Sequence, residues 1–431
     1  MIDAVSVHLA RLRWRIGRIS ALTSAALKSL RSSGVRVTLR KFLDRLQWVG
    51  EGKSAPITKL PMRSAVQPTL LFIDTAVPAP DRDSGSVRAL RIMQICVDLG
   101  WSVVFMPDNG RLSSEARELL LESDIQPIGT PGEPRLDTWM QVNGPYLHAV
   151  FLARHHVATK HIALVKSVTK ASVFFDTVDL HHVRLHRAAM LQADQAAVRE
   201  AARVRNEEFS LITRADRTLV VSSAEADYLA AEGVDRARIV VLSNIHDATP
   251  LPRSYCATRG LLFVGGFQHH PNREAVEWLC KAFMPLLRVR LPGVALEIVG
   301  EISEAEACAL RRDDIIVHGH VPDVEPYLAR ARISLAPLLS GAGVKGKINQ
   351  AMSRGLPVVA TSIAAEGMFL RHGHDALIAD GAEAFANAVV GLYNNEALWC
   401  ELVRNGYANI ESHFSSSLAR TSLLELVGLP A

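Results

Sequence analysis

From Thr69 onward, short apolar runs alternate with amphipathic helical stretches, and this alternation limits the available folds more than any other feature. A short apolar run bounded by turn residues reads as a strand buried on both faces. Residues 70–73, 102–106, 148–153, 172–175, 218–221 and 239–242 are six such runs, most of them separated by helical stretches such as 86–99. That grammar predicts βα units on a parallel sheet. Residues 246–257, with Pro250 and Pro252 among small polar residues, interrupt it. A second series follows at 260–264, 296–299, 315–318, 333–337 and 358–361, with a helix expected over 273–289. The fold class is therefore α/β: two doubly wound parallel-sheet domains, 67–250 and 251–431, with the cleft between them as the natural ligand site.

Residues 1–66 read differently, as one or two basic helices and a linker rich in glycine and proline. Residues 1–45 carry ten Lys/Arg against Asp3 and Asp44, a balance of +8 in a chain whose net charge is +4. The rest of the chain is thus mildly acidic, which argues against a nucleic-acid-binding core. The basic helices are readable as an anchor on an anionic membrane surface, or as helices packed on the protein itself or on a partner. No stretch approaches the ~18 apolar residues of a membrane-spanning helix. Arg11, Arg13, Arg15 and Arg18 break up the first apolar stretch before it resembles a secretory signal. The five cysteines are scattered without metal-ligand spacing, which suits free thiols in a reducing cytoplasm.

The stretch 335–368 carries the most chemistry. A strand ending near Pro337 leads into Ser340-Gly341-Ala342-Gly343, then Lys345 and Lys347 at the start of a helix. Bare backbone N–H groups, a helix N-terminus and two ammonium groups together favour a diphosphate. The same residues also suit a tight turn with two solvated lysines. Gly355 closes the helix, a strand follows, and Glu366 lies beyond its C-terminal end, where α/β domains bind ligands. In the first domain, 78–88 links strand to helix with Ser84 or Ser86 as a candidate N-cap. Asp176, Asp179, His181 and His182 follow a strand end, and such a set can ligate a metal. There is no G-x-G-x-x-G after the first strand and no G-x-x-x-x-G-K-[S/T], so a general dinucleotide or P-loop protein is disfavoured.

The 335–368 stretch resembles the donor-site signature of GT-B glycosyltransferases of family 4, the glycosyl transferases group 1 type. Lys345 and Lys347 fall on that family's basic positions, and Glu366-Gly367 matches its Glu-Gly pair. Phe263 to Phe267 with His270-Pro271-Asn272, and Val317 to Val321 with Asp323 and Tyr327, extend the likeness over 260–380. Ala342 and Gln350 stand where many members have two glutamates.

The resemblance implies a GT-B enzyme of two Rossmann-like domains, with the acceptor in 67–250 and the nucleotide-sugar in 251–431, whose last helix crosses back. Expected donor contacts are Gly85, Gly265, Gly266, Gly343, Lys345, Lys347, Gln350 and Glu366. Expected catalytic residues are Lys347 and Glu366, with Asp179 and His181 for acceptor contact or proton handling. The implied reaction is retaining and metal-independent, with no cofactor: a sugar moves from a nucleotide-diphospho-sugar to a glycan or lipid-linked acceptor in envelope or exopolysaccharide synthesis. A cytoplasmic protein, peripheral at the inner face of the membrane, is the matching location. A GT-B nucleotide-sugar epimerase and a catalytically degenerate nucleotide-sugar-binding subunit are the rival readings.

Overall fold

The strands form where the apolar runs lie. The computed structural model describes residues 67–428 apart from Arg82, 130–135, 192–193 and Pro252; the basic helical segment and linker expected at 1–66 lie outside the described residues. The first sheet holds β1 (Thr69–Asp74), β2 (Ser102–Pro107), β3 (Ile125–Pro127), β4 (Ala149–Ala153), β5 (Ser172–Asp176), β6 (Arg217–Val220) and β7 (Ile239–Val241). The second holds β8 (Leu261–Val264), β9 (Leu296–Val299), β10 (Ile315–Gly319), β11 (Ile333–Ala336), β12 (Val358–Ala360) and β13 (Leu377–Ile378). The helices bearing on the site are α1 (Ser84–Asp98), α2 (His155–Val168), α3 (His181–Leu191), α4 (Gly346–Ser353) and α5 (Ser416–Val427). Leu70, Leu71, Phe72 and Ile73 of β1 have no exposed surface, as expected of a central strand covered on both faces.

All pairings within the two sheets are parallel. The strand orders are β3-β2-β1-β4-β5-β6-β7 and β10-β9-β8-β11-β12-β13. In each sheet the chain starts at the middle, runs to one edge, then returns to the centre and runs to the other. The reversal falls between β1 and β4 and between β8 and β11, and such switch points leave a crevice at the carboxyl ends of the strands. The two sheets belong to one compact unit.

Three local results differ from the sequence reading. β3 and β13 were not expected; with three and two residues they lack an apolar run long enough to announce a strand. The helix expected over 273–289 begins at His270 and passes through a π-helical segment, Leu279–Phe283, before Met284–Arg290. Pro285 lies in the first turn after that segment and has no N–H to donate, so the regular i to i−4 ladder cannot run through it unbroken. Finally, α1 is capped by Asp83 rather than by Ser84 or Ser86: its carboxylate accepts from the Ser86 N–H and hydroxyl, each at 2.8 Å.

The last helix, α5, leaves the second domain and packs on the first. Ala419 and Leu423 are buried in the first sheet's core beside α1, and the Trp101 indole donates to the Gly428 carbonyl at 3.3 Å.

Candidate active site

The carboxyl ends of both sheets converge where the glycines allow it. Gly346 opens α4, and a Cβ there would lie 2.2 Å from Ser84 Cβ, so the starts of α4 and α1 touch backbone to side chain. Gly343 (φ +69°) presses on Asp179, Val221 and Glu225, and Gly367 (φ +73°) on Ser222. These contacts join the glycine-rich loop of the second domain to the rim of the first. Gly265 packs so closely on Asn272 that a Cβ would sit 2.7 Å from its amide nitrogen, whereas a Cβ at Gly266 would meet only ordinary contacts.

Both lysines of the loop are shielded at this junction, Lys345 buried and Lys347 half-buried. Lys345 donates from Nζ to its own loop's Gly343 carbonyl at 2.5 Å, and burial pushes its ammonium down to about 8. Lys347 donates to Asn272 Oδ1 at 2.6 Å, and its Nζ stands 4.2 Å from the centre of the Phe263 ring. Burial, then the charge of Lys345, push it down to about 7. Asn272 in turn donates to the Gly266 carbonyl at 2.9 Å, so one amide ties the Lys347 ammonium to the loop after β8. Two cations brought together and stripped of water are a costly arrangement that an anion would relieve. Gln350 is partly exposed on α4, one helical turn beyond Lys347.

Glu366 ends the short helix Ser362–Ala365. Arg187 of α3 grips it from the other domain, Nη2 donating to Oε1 at 2.8 Å and Nη1 to Oε2. Nη1 also donates to the Gly341 carbonyl at 2.8 Å. The hydrogen bond from Arg187 holds the Glu366 carboxyl below the usual glutamate range.

On the first domain, Asp179 accepts from Arg184 Nε at 2.6 Å. Arg184 also reaches His181 Nδ1, and the His181 ring stacks on His155 with centroids 4.5 Å apart. Burial, then the charge of Arg184, push His181 down to about 4, so the imidazole is neutral at pH 7. His269, from the loop after β8, is lowered by burial and then by the charge of Arg184. His182 points elsewhere: buried, it sits 2.5 Å from Glu208 and 3.0 Å from the Tyr228 hydroxyl. It helps Glu208 hold the start of α3, whose His181 and His182 N–H groups both donate to that carboxylate at 3.0 Å.

Backbone strain gathers at the same rim. Arg154 (φ +72°) and Val178 (φ +63°) occupy the left-handed region, which a β-branched residue strongly avoids. Such strain concentrates at functional sites. Arg154 donates from Nε to the buried Asp74 at 2.9 Å, and its Nη2 lies 3.1 Å from where a Cβ on Gly85 would be. Gly85 thus sits beneath a guanidinium at the first domain's switch point.

Arg187, Arg184 and Glu225 were not singled out from sequence, and Asn272 entered only as part of the likeness over 260–380. Glu225 is buried, accepts from the Leu180 and Val221 N–H groups, and is pushed up to about 7 by burial. Among the described residues, no group of three or more His, Cys, Asp or Glu side chains is placed to hold a metal ion. Among the same residues, no helix is long and apolar enough to cross a membrane.

Two parallel Rossmann-like sheets that bring their carboxyl ends together over a glycine-rich, lysine-bearing loop define the GT-B fold. HepE from Anabaena, solved with UDP and glucose, matches with a TM-score of 0.62 at 12% identity, over 84% of this chain and 99% of that one. Sucrose-phosphate synthase from Thermosynechococcus elongatus matches with a TM-score of 0.61 at 15% identity, over 84% and 98%. Residues 258–395, all within the second domain, match the family described as Glycosyl transferases group 1. The lipopolysaccharide core biosynthesis glycosyltransferase LpsE of Rhizobium meliloti is 27% identical over 157 residues, covering 34% of this chain and 46% of its own. An uncharacterized 44.6 kDa protein in the cps region of Klebsiella pneumoniae is 25% identical over 174 residues, 38% of this chain and 45% of its own. The chain thus spans less than half the length of these curated relatives.

Proposed function

We propose that the chain is a retaining, metal-independent glycosyltransferase that moves a sugar from a nucleotide-diphospho-sugar to a glycan or lipid-linked acceptor. The observation that carries this reading is the pair of lysines, Lys345 buried and Lys347 half-buried, at the start of α4 and at the second domain's switch point. A diphosphate placed there meets two cations and the N-terminal N–H groups of a helix. These groups would bear the charge of the leaving nucleoside diphosphate, a task a metal ion performs elsewhere. Glu366 would take the sugar hydroxyls. Asp179 and the neutral His181, across the crevice, would contact the acceptor or handle its proton. The naming of one relative for lipopolysaccharide core biosynthesis and the cps locus of another support an acceptor in surface polysaccharide assembly. The basic segment 1–45 suits work at the inner, anionic face of a membrane.

A thermal-shift screen against UDP-, GDP-, ADP- and dTDP-sugars tests the donor. Ligand at a hundred times its Kd stabilises by about 2.7 kcal/mol, a readily visible shift. Lys347→Ala should abolish most of that shift and cut kcat/KM by about ten- to a hundredfold, the worth of a charge-assisted hydrogen bond. A variant with unchanged kinetics refutes the diphosphate assignment.

A further inference from the structure

Glu366 and the Gly341 carbonyl belong to the second domain, yet the side chain that fixes them comes from the first. We infer that Arg187 is a positioning residue for the donor sugar, holding Glu366 and the Gly341 peptide in the geometry that receives it. This rests on the donor-site reading above.

The two-nitrogen grip of Arg187 on Glu366 sets the plane of the carboxylate, because a guanidinium fork matches it bidentately. A carboxylate has about four lone-pair sites, so two stay open to sugar hydroxyls. Gly341, at φ +134°, lies in a backbone region where a glycine is free to wander, and the Arg187 bond to its carbonyl removes that freedom. The partner side chains are 36% and 40% exposed, and so exposed a pair adds little to folding stability. What the contact supplies is position.

The location of Arg187 gives this a second consequence. It sits on α3, whose first turn carries His181 and Arg184 and is preceded by Asp179. Six residue steps of helix lead from His181 to Arg187, about 9 Å of rigid rise. One helix therefore bears acceptor-side groups at its start and the donor-fixing group farther along. An acceptor that shifts the start of α3 also shifts the grip on Glu366.

The test uses the full chain and the nucleotide identified by the thermal screen. Calorimetric titration compares the bare nucleoside diphosphate with its sugar conjugate for wild type, Arg187→Ala, Arg187→Lys and the exchanged pair Arg187→Glu with Glu366→Arg. Arg187→Ala should bind the bare nucleotide within about threefold of wild type but lose about tenfold or more in affinity for the sugar conjugate and in kcat. Lysine, a point charge without the fork, should recover only part, and the exchanged pair, which moves the carboxylate to the first domain, should leave the sugar affinity as low as in Arg187→Ala. Equal losses for both ligands, or no loss for the sugar conjugate, overturn the inference alone. A wild-type protein that binds none of the four nucleotide-sugars overturns the donor-site reading and this inference with it.

Discussion

Gly346→Ala is a one-methyl test of how the two domains meet. The φ of Gly346 lies outside the left-handed region, so alanine suits its backbone. In an open helix the change would gain about 0.5–1 kcal/mol, because glycine loses more entropy on folding. Here the new Cβ would stand 2.2 Å from Ser84 Cβ and 2.6 Å from Ser84 Oγ. Carbon atoms in contact keep about 3.5–4.0 Å apart, so α4 and α1 would have to separate by more than an ångström. Overpacking of this kind costs about 1–3 kcal/mol, which outweighs the gain from propensity. The expected result is a net loss of about 1–2 kcal/mol in urea unfolding followed by tryptophan fluorescence. Ser84→Gly removes both clashing atoms, so the double variant should regain most of the loss and give a coupling energy of about 1 kcal/mol or more. A Gly346→Ala protein as stable as wild type, or a double variant that merely adds two losses, refutes the reasoning.

Two further outcomes concern the titrating groups. Lys347 at about 7 and Lys345 at about 8 lose their charge in the free protein as pH rises. Nucleoside diphosphate affinity should therefore fall between pH 6.5 and about 9, with proton uptake on binding at about pH 8, read by calorimetry in buffers of different ionisation heat. A pH-independent affinity contradicts it. The same lysines should make folding stability rise with pH from about 7 towards 10.5, because the unfolded chain holds their protons longer. His181 and His182 should separate cleanly. His182→Ala strips a partner from the buried Glu208 and should cost about 1–3 kcal/mol. His181→Ala should leave urea stability within about 0.5 kcal/mol while activity drops.

The frame of the protein was legible because its strands are nearly unbroken apolar runs, and a parallel sheet covered on both faces demands that. The edge strands β3 and β13 were not, because their pairing comes from neighbours rather than from composition. The two lysines of the glycine-rich loop could be located because loop, helix start and charge are adjacent in the chain. Arg187 could not: it lies 179 residues from Glu366 in sequence and follows no spacing rule. Asp179 and His181 were picked out beside His182, and only packing separates the crevice-facing His181 from His182, which turns inward to Glu208. Gly346 passed unnoticed between two lysines although it has less room than the other glycines of the loop, because its neighbour Ser84 belongs to the other domain.

The return of α5 to the first domain also bears on how the protein can be cut and how it can move. A piece ending near residue 250 would bare the apolar seat that Ala419 and Leu423 cover, so the first domain needs the tail of the chain to be soluble by itself. The polypeptide passes between the domains twice, after β7 and ahead of α5. These passages are sewn together: the His246 N–H donates to the Phe414 carbonyl at 2.8 Å, and Asp247 accepts from the Ser416 N–H at 2.8 Å and its hydroxyl at 2.6 Å. Two bound strands act as one pivot, which permits rocking and resists twist. Any opening of the crevice about that pivot would be that of a jaw, with the loop of Gly343 and the rim of Asp179 at its biting edge.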